Sequence, residues 1–248
     1  MLEKVAFVKT LLPDIRNYIL SHPIQNIEVK DNEFDNIVTD IDVTIQNRLE
    51  KALIERYPDT SLFGEEADEH LFTPKMWIID PIDGTLNFVK QQENFCIMIG
   101  IFEDGKPTLG FIYDVIKDEF AYGGNETGVF LNGEKLKTVE NLGLREGIIG
   151  TNSVMFAKDS LNTQKIGFEA VGVRTFGCAG LDFLAVIRGK QVAYVSNLSP
   201  WDFAAGIALG EPLGLVSSKL NGEAYDILGE RQYFVVATQK TYDDIFKF

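Results

Sequence analysis

Trp77-Ile78-Ile79-Asp80-Pro81-Ile82-Asp83-Gly84-Thr85 is the stretch on which the fold of this chain turns. Trp77 to Ile79 is a short apolar run of the kind that forms a buried strand. Pro81 lacks an N–H and has a fixed φ, so the strand is expected to stop there and the chain to turn. Asp80 and Asp83 then flank a tight bend with the Ile82 carbonyl between them. Two carboxylates and a carbonyl converging there make a poor core but a good cradle for Mg²⁺, which takes oxygen ligands and commonly shares its shell with phosphate oxygens and water. Gly84 lets the backbone come close to a ligand. Thr85 can open a helix, expected to run to about Gln91, whose free N–H groups face an anion. Taken alone, Asp-x-x-Asp-Gly-Thr also reads as an Asx-type turn closing a strand, with Thr85 as a helix cap.

Two further acidic blocks flank this stretch. Gly64-Glu65-Glu66 follows a short strand at Leu62-Phe63, and Pro200-Trp201-Asp202 precedes an apolar helical run from Phe203 to Leu209. Adjacent carboxylates such as Glu65 and Glu66 are expensive near a core without a cation. Asp202 sits where a helix start favours negative charge.

The nine-residue string resembles the signature of the inositol monophosphatase family, Mg²⁺-dependent and lithium-sensitive phosphatases. Its companion blocks follow in the family's order: the Gly-Glu-Glu, then Trp201-Asp202-Phe203-Ala204-Ala205-Gly206, with the resemblance spanning roughly residues 30 to 215. Ile37-Val38-Thr39-Asp40-Ile41-Asp42 resembles a further family segment, with Asn36 standing in place of the usual acid.

The resemblance implies an α+β fold, a layered α-β-α-β-α sandwich of the fructose bisphosphatase/inositol monophosphatase kind. It implies two or three Mg²⁺ ions, with Mn²⁺ as a substitute, held by Glu65, Asp80, the Ile82 carbonyl, Asp83 and Asp202. Catalytic roles fall to Glu65 and Thr85, with Asp42 behind Thr85, orienting a metal-activated water for direct in-line attack on a phosphomonoester. Asp83, Gly84 and Thr85 would hold the phosphate, and Gly177, Cys178 and Ala179 would line the substrate pocket through their backbone. Cys178 replaces a small polar residue and is not read as a nucleophile. Lys30 lies near a family lysine that reaches toward the site, although a solvent-exposed lysine is the preferred expectation. Glu66 is expected at the periphery, either touching metal through water or solvated.

Inositol monophosphate is the substrate that the resemblance implies by default. The position where inositol-specific relatives carry an acid is about Val195, followed by Ser196 and Asn197. A 3′-phosphoadenosine nucleotide, NADP, a sugar bisphosphate or histidinol phosphate therefore stay open. A regulatory binding protein with subordinate activity is the alternative of another class.

Composition agrees with a soluble enzyme acting on a small phosphorylated metabolite. The chain has 248 residues and a net charge of −14. That charge argues against a nucleic-acid polymer or an anionic membrane as partner. An anionic substrate would then need cations bound at the site. Cys96 and Cys178 are the only cysteines, and Cys96 lies in an apolar strand pattern, so no disulfide is expected. No signal sequence or membrane-length apolar run is read. A cytoplasmic location follows, and a homodimer is the family expectation.

Taken in order, Leu2 to Leu20 carries a helical apolar stripe that Pro13 is expected to kink or divide. Val29 to Asn36 is a polar loop. A helix from Val43 to about Tyr57 follows, capped by Thr39 or Asp40, and Asp42 complements its start. Asp68, Glu69 and His70 fall in a surface loop, where a lone histidine is weak evidence for catalysis. Strands at Phe95–Phe102, Leu109–Val115 and Phe120–Tyr122 and a hairpin turning at Asn132-Gly133 make an antiparallel meander. After residue 140, strands at Ile148–Thr151, Val173–Phe176 and Val192–Val195 alternate with a helix near Gly180–Arg188, and a final strand covers Phe234 to Thr238. The expected halves are 1–140, with the larger sheet and most metal ligands, and 141–248, completing the site without a flexible linker.

Overall fold

The computed structural model describes residues 1–30, 37–66 and 73–248. Asn36, Asp68, Glu69 and His70 lie outside the described residues.

The first part of the chain runs α1 (Leu2–Ser21), β1 (Ile27–Val29), β2 (Ile37–Thr39), α2 (Asp40–Arg56), β3 (Ser61–Gly64), β4 (Lys75–Asp83) and α3 (Thr85–Gln91). The meander follows: β5 (Cys96–Glu103), β6 (Lys106–Asp114), β7 (Glu119–Gly124), β8 (Gly128–Leu131) and β9 (Glu134–Lys135). Strands β3 to β9 form one seven-stranded sheet in sequence order, antiparallel throughout except for the parallel β3–β4 pair. The β8–β9 turn places Asn132 at φ 49° and Gly133 at φ 87°, the paired left-handed conformation that an Asn-Gly hairpin supplies.

The remainder runs β10 (Ile148–Thr151), α4 (Ser153–Ala157), α5 (Thr163–Glu169), β11 (Gly172–Arg174), α6 (Ala179–Ile187), β12 (Ala193–Leu198), α7 (Pro200–Gly210), β13 (Leu215–Lys219), β14 (Gln232–Thr238) and α8 (Gln239–Ile245). Its five strands are ordered β11-β10-β12-β14-β13. Pairing is parallel around β10 and antiparallel around β14.

Three apolar clusters define the layers. Val8, Leu12, Ile45 and Leu49 of α1 and α2 pack on Trp77, Ile79, Ile99 and Phe111 of the larger sheet. Met98, Ile112 and Ala121, from the opposite face, pack with Phe183 and Phe203 of α6 and α7 and with Tyr194, Phe234 and Val236 of the smaller sheet. Ile149, Val195 and Val235 then meet Met155, Ile166 and Ile245 of α4, α5 and α8. Each sheet is thus covered on both faces, which gives the expected α-β-α-β-α sandwich.

Small residues set how closely α7 approaches the larger sheet. A Cβ on Gly100 would lie 2.7 Å from Ala204 Cβ, and one on Gly110 2.3 Å from the Ala205 carbonyl oxygen. The glycines let the helix lie almost on the backbone of β5 and β6. That approach brings the first turn of α7, which carries Asp202, to the end of β4.

Several expectations are corrected. β4 does not stop at Pro81: it continues to Asp83, with its pairing to β5 shifting between Asp80 and Asp83. The irregularity leaves the missing Pro81 N–H without a ladder partner to disappoint. Of the two expectations for Pro13, division is excluded, since α1 is continuous from Leu2 to Ser21 with Pro13 inside it. Val29 belongs to β1, which pairs antiparallel with β2, and not to a loop. β11 ends at Arg174, leaving Thr175 and Phe176 free of the sheet. The short helices α4, α5 and α8 and strand β13 were not anticipated. Among the described residues, no helix is long and apolar enough to cross a membrane.

Candidate active site

The cap of α2 is the first piece of the site. Thr39 is the N-cap, and its hydroxyl accepts from the Ile41 and Asp42 N–H groups. Asp42 closes the reciprocal half of the box, its Oδ2 accepting the Thr39 N–H at 2.9 Å and the Thr39 hydroxyl. Its other oxygen, Oδ1, accepts from the Thr85 hydroxyl at 3.1 Å. The helix-start reading and the threonine-partner reading of Asp42 therefore describe the two oxygens of one carboxylate. Burial pushes Asp42 up to about 6, against the pull of its Thr39 and Thr85 hydrogen bonds.

Thr85 follows Gly84, which is the N-cap of α3 with φ 89°. Thr85 is thus the first helical residue and not the cap itself. Its hydroxyl also lies 3.0 Å from the Ile82 carbonyl oxygen. One hydroxyl hydrogen satisfies one acceptor at a time, so Asp42 takes it whenever the Ile82 oxygen is otherwise engaged.

Three of the acids converge. One carboxylate oxygen each from Asp80, Asp83 and Asp202 lies within 4.8 Å of the others. Asp80 is 1% exposed, Asp83 7% and Asp202 9%. Asp202 is the third residue of α7, not its N-cap: Ser199 caps the helix and Asp202 Oδ2 accepts the Ser199 N–H at 2.8 Å. Glu65, at the end of β3, borders the same cavity and is held by its own N–H on the Ile79 carbonyl at 3.1 Å.

Burial raises every one of these carboxyls, and neighbouring negative charge adds to the rise at Glu65, Asp80 and Asp202. Burial, reinforced by Glu66, Asp202 and Asp42 against the Lys30 charge, pushes Glu65 to about 8. Burial and Asp83 push Asp202 to about 7, with Arg231 opposing. Burial, then Glu65, Asp83 and Asp202, pushes Asp80 well above the usual carboxylate range. Asp80 Oδ1 is buried with no hydrogen-bond partner among the described residues. Three clustered carboxylates, with Glu65 beside them and one orphaned oxygen, are costly unless a cation neutralises them. The donors are all hard oxygens, the set that suits magnesium, so the residues present fit that ion.

Asp83 has a different environment. Its Oδ1 accepts the Ala179 N–H at 3.1 Å, and its Oδ2 accepts the Gly180 N–H at 2.5 Å and the Cys178 and Cys96 thiols at 3.1 and 3.5 Å. Burial raises Asp83 nonetheless, against all of these bonds. Both thiols are themselves pushed up by burial, Cys96 to about 12, so neither serves as a nucleophile. The two cysteines are free.

Gly177, Cys178 and Ala179 border the cavity, Gly177 with φ 68°. Asn87, inside α3, ties this turn to the motif by donating to the carbonyls of Phe176 at 2.8 Å and Asn94 at 2.9 Å. Sequence reading missed that brace, although an asparagine on the inner face of a short helix is a signal for one.

The expectation for Lys30 is corrected. Instead of pointing to solvent, its ammonium bonds Glu66 and lies 3.3 Å from Glu65. Among the described residues, Glu66 is not one of those bordering the cavity and serves as Lys30's partner. Val195 also needs correcting, because alternation along β12 turns it into the core with Ile149 and Val235. Tyr194, Ser196 and Asn197 border the cavity instead. Thr151, Asn152, Ser153 and Arg231 complete its wall and were not singled out in the sequence, since they come from loops and strand ends far apart in the chain. The cavity measures about 480 Å³, and Arg231 is the one lysine or arginine among its described lining residues.

Comparison with known proteins accounts for this arrangement. The profile of the inositol monophosphatase family matches residues 5–246. Inositol-1-monophosphatase of Bacillus subtilis (strain 168) is 35% identical over 215 residues, covering 84% of this chain and 81% of that protein. A staphylococcal IMPase-I structure, complexed with products, superposes with a TM-score of 0.92 at 31% identity, covering 100% of this chain and 95% of the other. An IMPase/NADP phosphatase complexed with Mg²⁺ and phosphate gives 0.92 at 30%, covering 99% and 94%. With a match running almost from end to end and its acids gathered at the junction of two sheets, this chain belongs to the inositol monophosphatase family, metal-dependent phosphoric monoester hydrolases.

Proposed function

We propose that Glu65, Asp80, the Ile82 carbonyl, Asp83 and Asp202 hold two or three Mg²⁺ ions, with Mn²⁺ as a substitute, and that the cavity above them takes a small phosphorylated metabolite. The observation that carries this reading is the trio of carboxylate oxygens within 4.8 Å, one of its members, Asp80, bearing an oxygen with no partner among the described residues. Magnesium, when bound, supplies positive charge to the phosphoryl group and the departing oxygen.

The protein's own residues do the rest. Glu65 and the Thr85 hydroxyl orient the attacking water, and Asp42 fixes the Thr85 hydroxyl by accepting its hydrogen. With that hydrogen committed, the Thr85 oxygen is left as an acceptor for a proton of the water. Gly84 and Thr85 N–H groups hold non-bridging phosphate oxygens. Attack is in line and forms no phosphoenzyme; an alcohol and inorganic phosphate leave. Lys30 bonds Glu66 and opposes the rise at Glu65.

Inositol monophosphate is the first substrate in this reading. A second substrate, a phosphorylated dinucleotide such as NADP, is favoured by Arg231, a cation at the rim able to meet a diphosphate, and by the neutral Ser196 and Asn197 on the wall. The test is phosphate release from inositol 1-phosphate, NADP, a 3′-phosphoadenosine nucleotide and fructose bisphosphate, with magnesium, with and without lithium. Release that needs magnesium and is lost in Asp83→Asn supports the ligand assignment. Near-normal release in that variant overturns it.

A further inference from the structure

We infer that Cys96, Cys178 and Asp83 form a second, inhibitory metal site for a thiophilic divalent cation of the zinc class. Among the described residues, one atom from each of the three lies within 4.8 Å of the others. The sulfurs are 3.7 Å apart, and Asp83 Oδ2 is 3.1 Å from Cys178 Sγ and 3.5 Å from Cys96 Sγ. Tetrahedral zinc, with bonds of about 2.3 Å to sulfur and about 2.0 Å to oxygen, sets its ligands roughly 3.8 Å (S to S) and 3.5 Å (S to O) apart. The triangle is therefore near zinc spacing before any ion arrives.

The space beside it is kept open by Gly180. A Cβ there would meet Cys96 Sγ at 2.4 Å, Met98 Sδ at 2.9 Å and Asp83 Oδ2 at 3.2 Å. Cys96 Sγ, Met98 Sδ and Asp83 Oδ2 thus pack directly against Gly180, and thiolate donors such as Cys96 and Cys178 select zinc, cadmium or copper(I) over magnesium. Entry is from the cavity, which Cys178 borders. On binding, the ion replaces the two thiol hydrogens that Asp83 Oδ2 now accepts, so one divalent cation enters as about two protons leave. The effect on turnover rests on the proposed role of Asp83 in holding magnesium: an ion among the sulfurs takes that carboxylate for itself. The binding does not depend on that role.

Cadmium is the probe, added to the whole chain in excess magnesium, for wild type and Cys96→Ser. Wild type should bind one Cd²⁺ with thiolate-to-metal charge-transfer absorption, release about two protons, and shield both thiols from alkylation. Magnesium-dependent hydrolysis should fall and return on chelation. Cys96→Ser should bind at least ~10-fold more weakly and lose cadmium sensitivity relative to its own magnesium-only rate. Cadmium bound without thiolate absorption, or a Cys96→Ser protein equally sensitive, would place the ion among the carboxylates and overturn the inference. Should the variant fail to fold, wild-type absorption and proton count decide alone. Hydrolysis with magnesium only, measured in parallel, tests the hydrolase reading separately.

Discussion

Asparagine at position 80 should make the metal-free protein more stable, the reverse of what most substitutions in a buried site do. Asp80 is 1% exposed, and Glu65, Asp83 and Asp202 all press negative charge on it. Its Oδ1 has no hydrogen-bond partner among the described residues. Without a cation, burial and these charges favour the protonated form of Asp80 in the folded chain, whereas the unfolded chain gives that proton up. The folded pKa lies above the unfolded one, so the associated stability is intact below about pH 4 and is lost as pH rises. Holding that proton at about pH 7 costs at most about 4 kcal/mol. Asparagine escapes this cost but must find partners for its amide, which leaves a gain of about 1–3 kcal/mol. In a domain of this size that corresponds to roughly 2–12 °C in Tm. Magnesium should reverse the order, because it stabilises the wild type and finds one ligand fewer in the variant. The assay is thermal unfolding of both proteins in chelator and in magnesium, across about pH 4 to 8. A variant less stable than wild type in chelator near neutrality, or an advantage that persists undiminished in acid, would refute the charge-repulsion argument.

Other expectations follow from the same geometry. Asp42→Asn must turn its amide nitrogen toward one of its present donors, so kcat should fall ~10–100-fold, with stability reduced by about 1 kcal/mol; phosphate release and urea unfolding measure the two. Lys30→Met removes the charge that opposes the rise at Glu65, so the acidic limb of the pH–rate profile should move to higher pH; an unmoved limb rejects the contact. Gly100→Ala drives a methyl into Ala204 and the Ala205 nitrogen and should cost about 1–3 kcal/mol, read as a lower urea midpoint. Arg231→Gln should weaken KM for NADP more than for inositol 1-phosphate, and equal effects on both would remove Arg231 from substrate selection.

The stretch Trp77 to Thr85 could be read from sequence because its chemistry is local. An apolar run, two acids three apart, a glycine that must take positive φ and a threonine after it constrain one another along the backbone. The Asn132-Gly133 hairpin and the Thr39 cap were legible for the same reason. Pro81 misled because proline chemistry forbids a ladder hydrogen bond but not an extended backbone, and a shift in pairing absorbs the loss. The short helices α4, α5 and α8 carry weak periodicity and are held by the layer they cover, so packing and not propensity sets them.

Sequence alone determined which residues bear charge and which backbone turns they sit on, since spacing and residue type act within a few positions. Only the tertiary structure decided that Lys30 meets Glu65 and Glu66, that Val195 turns inward, and that two cysteines 82 positions apart share an oxygen of Asp83. Those contacts depend on how two sheets and the helices between them come together, and distance along a chain carries almost no information about distance across it.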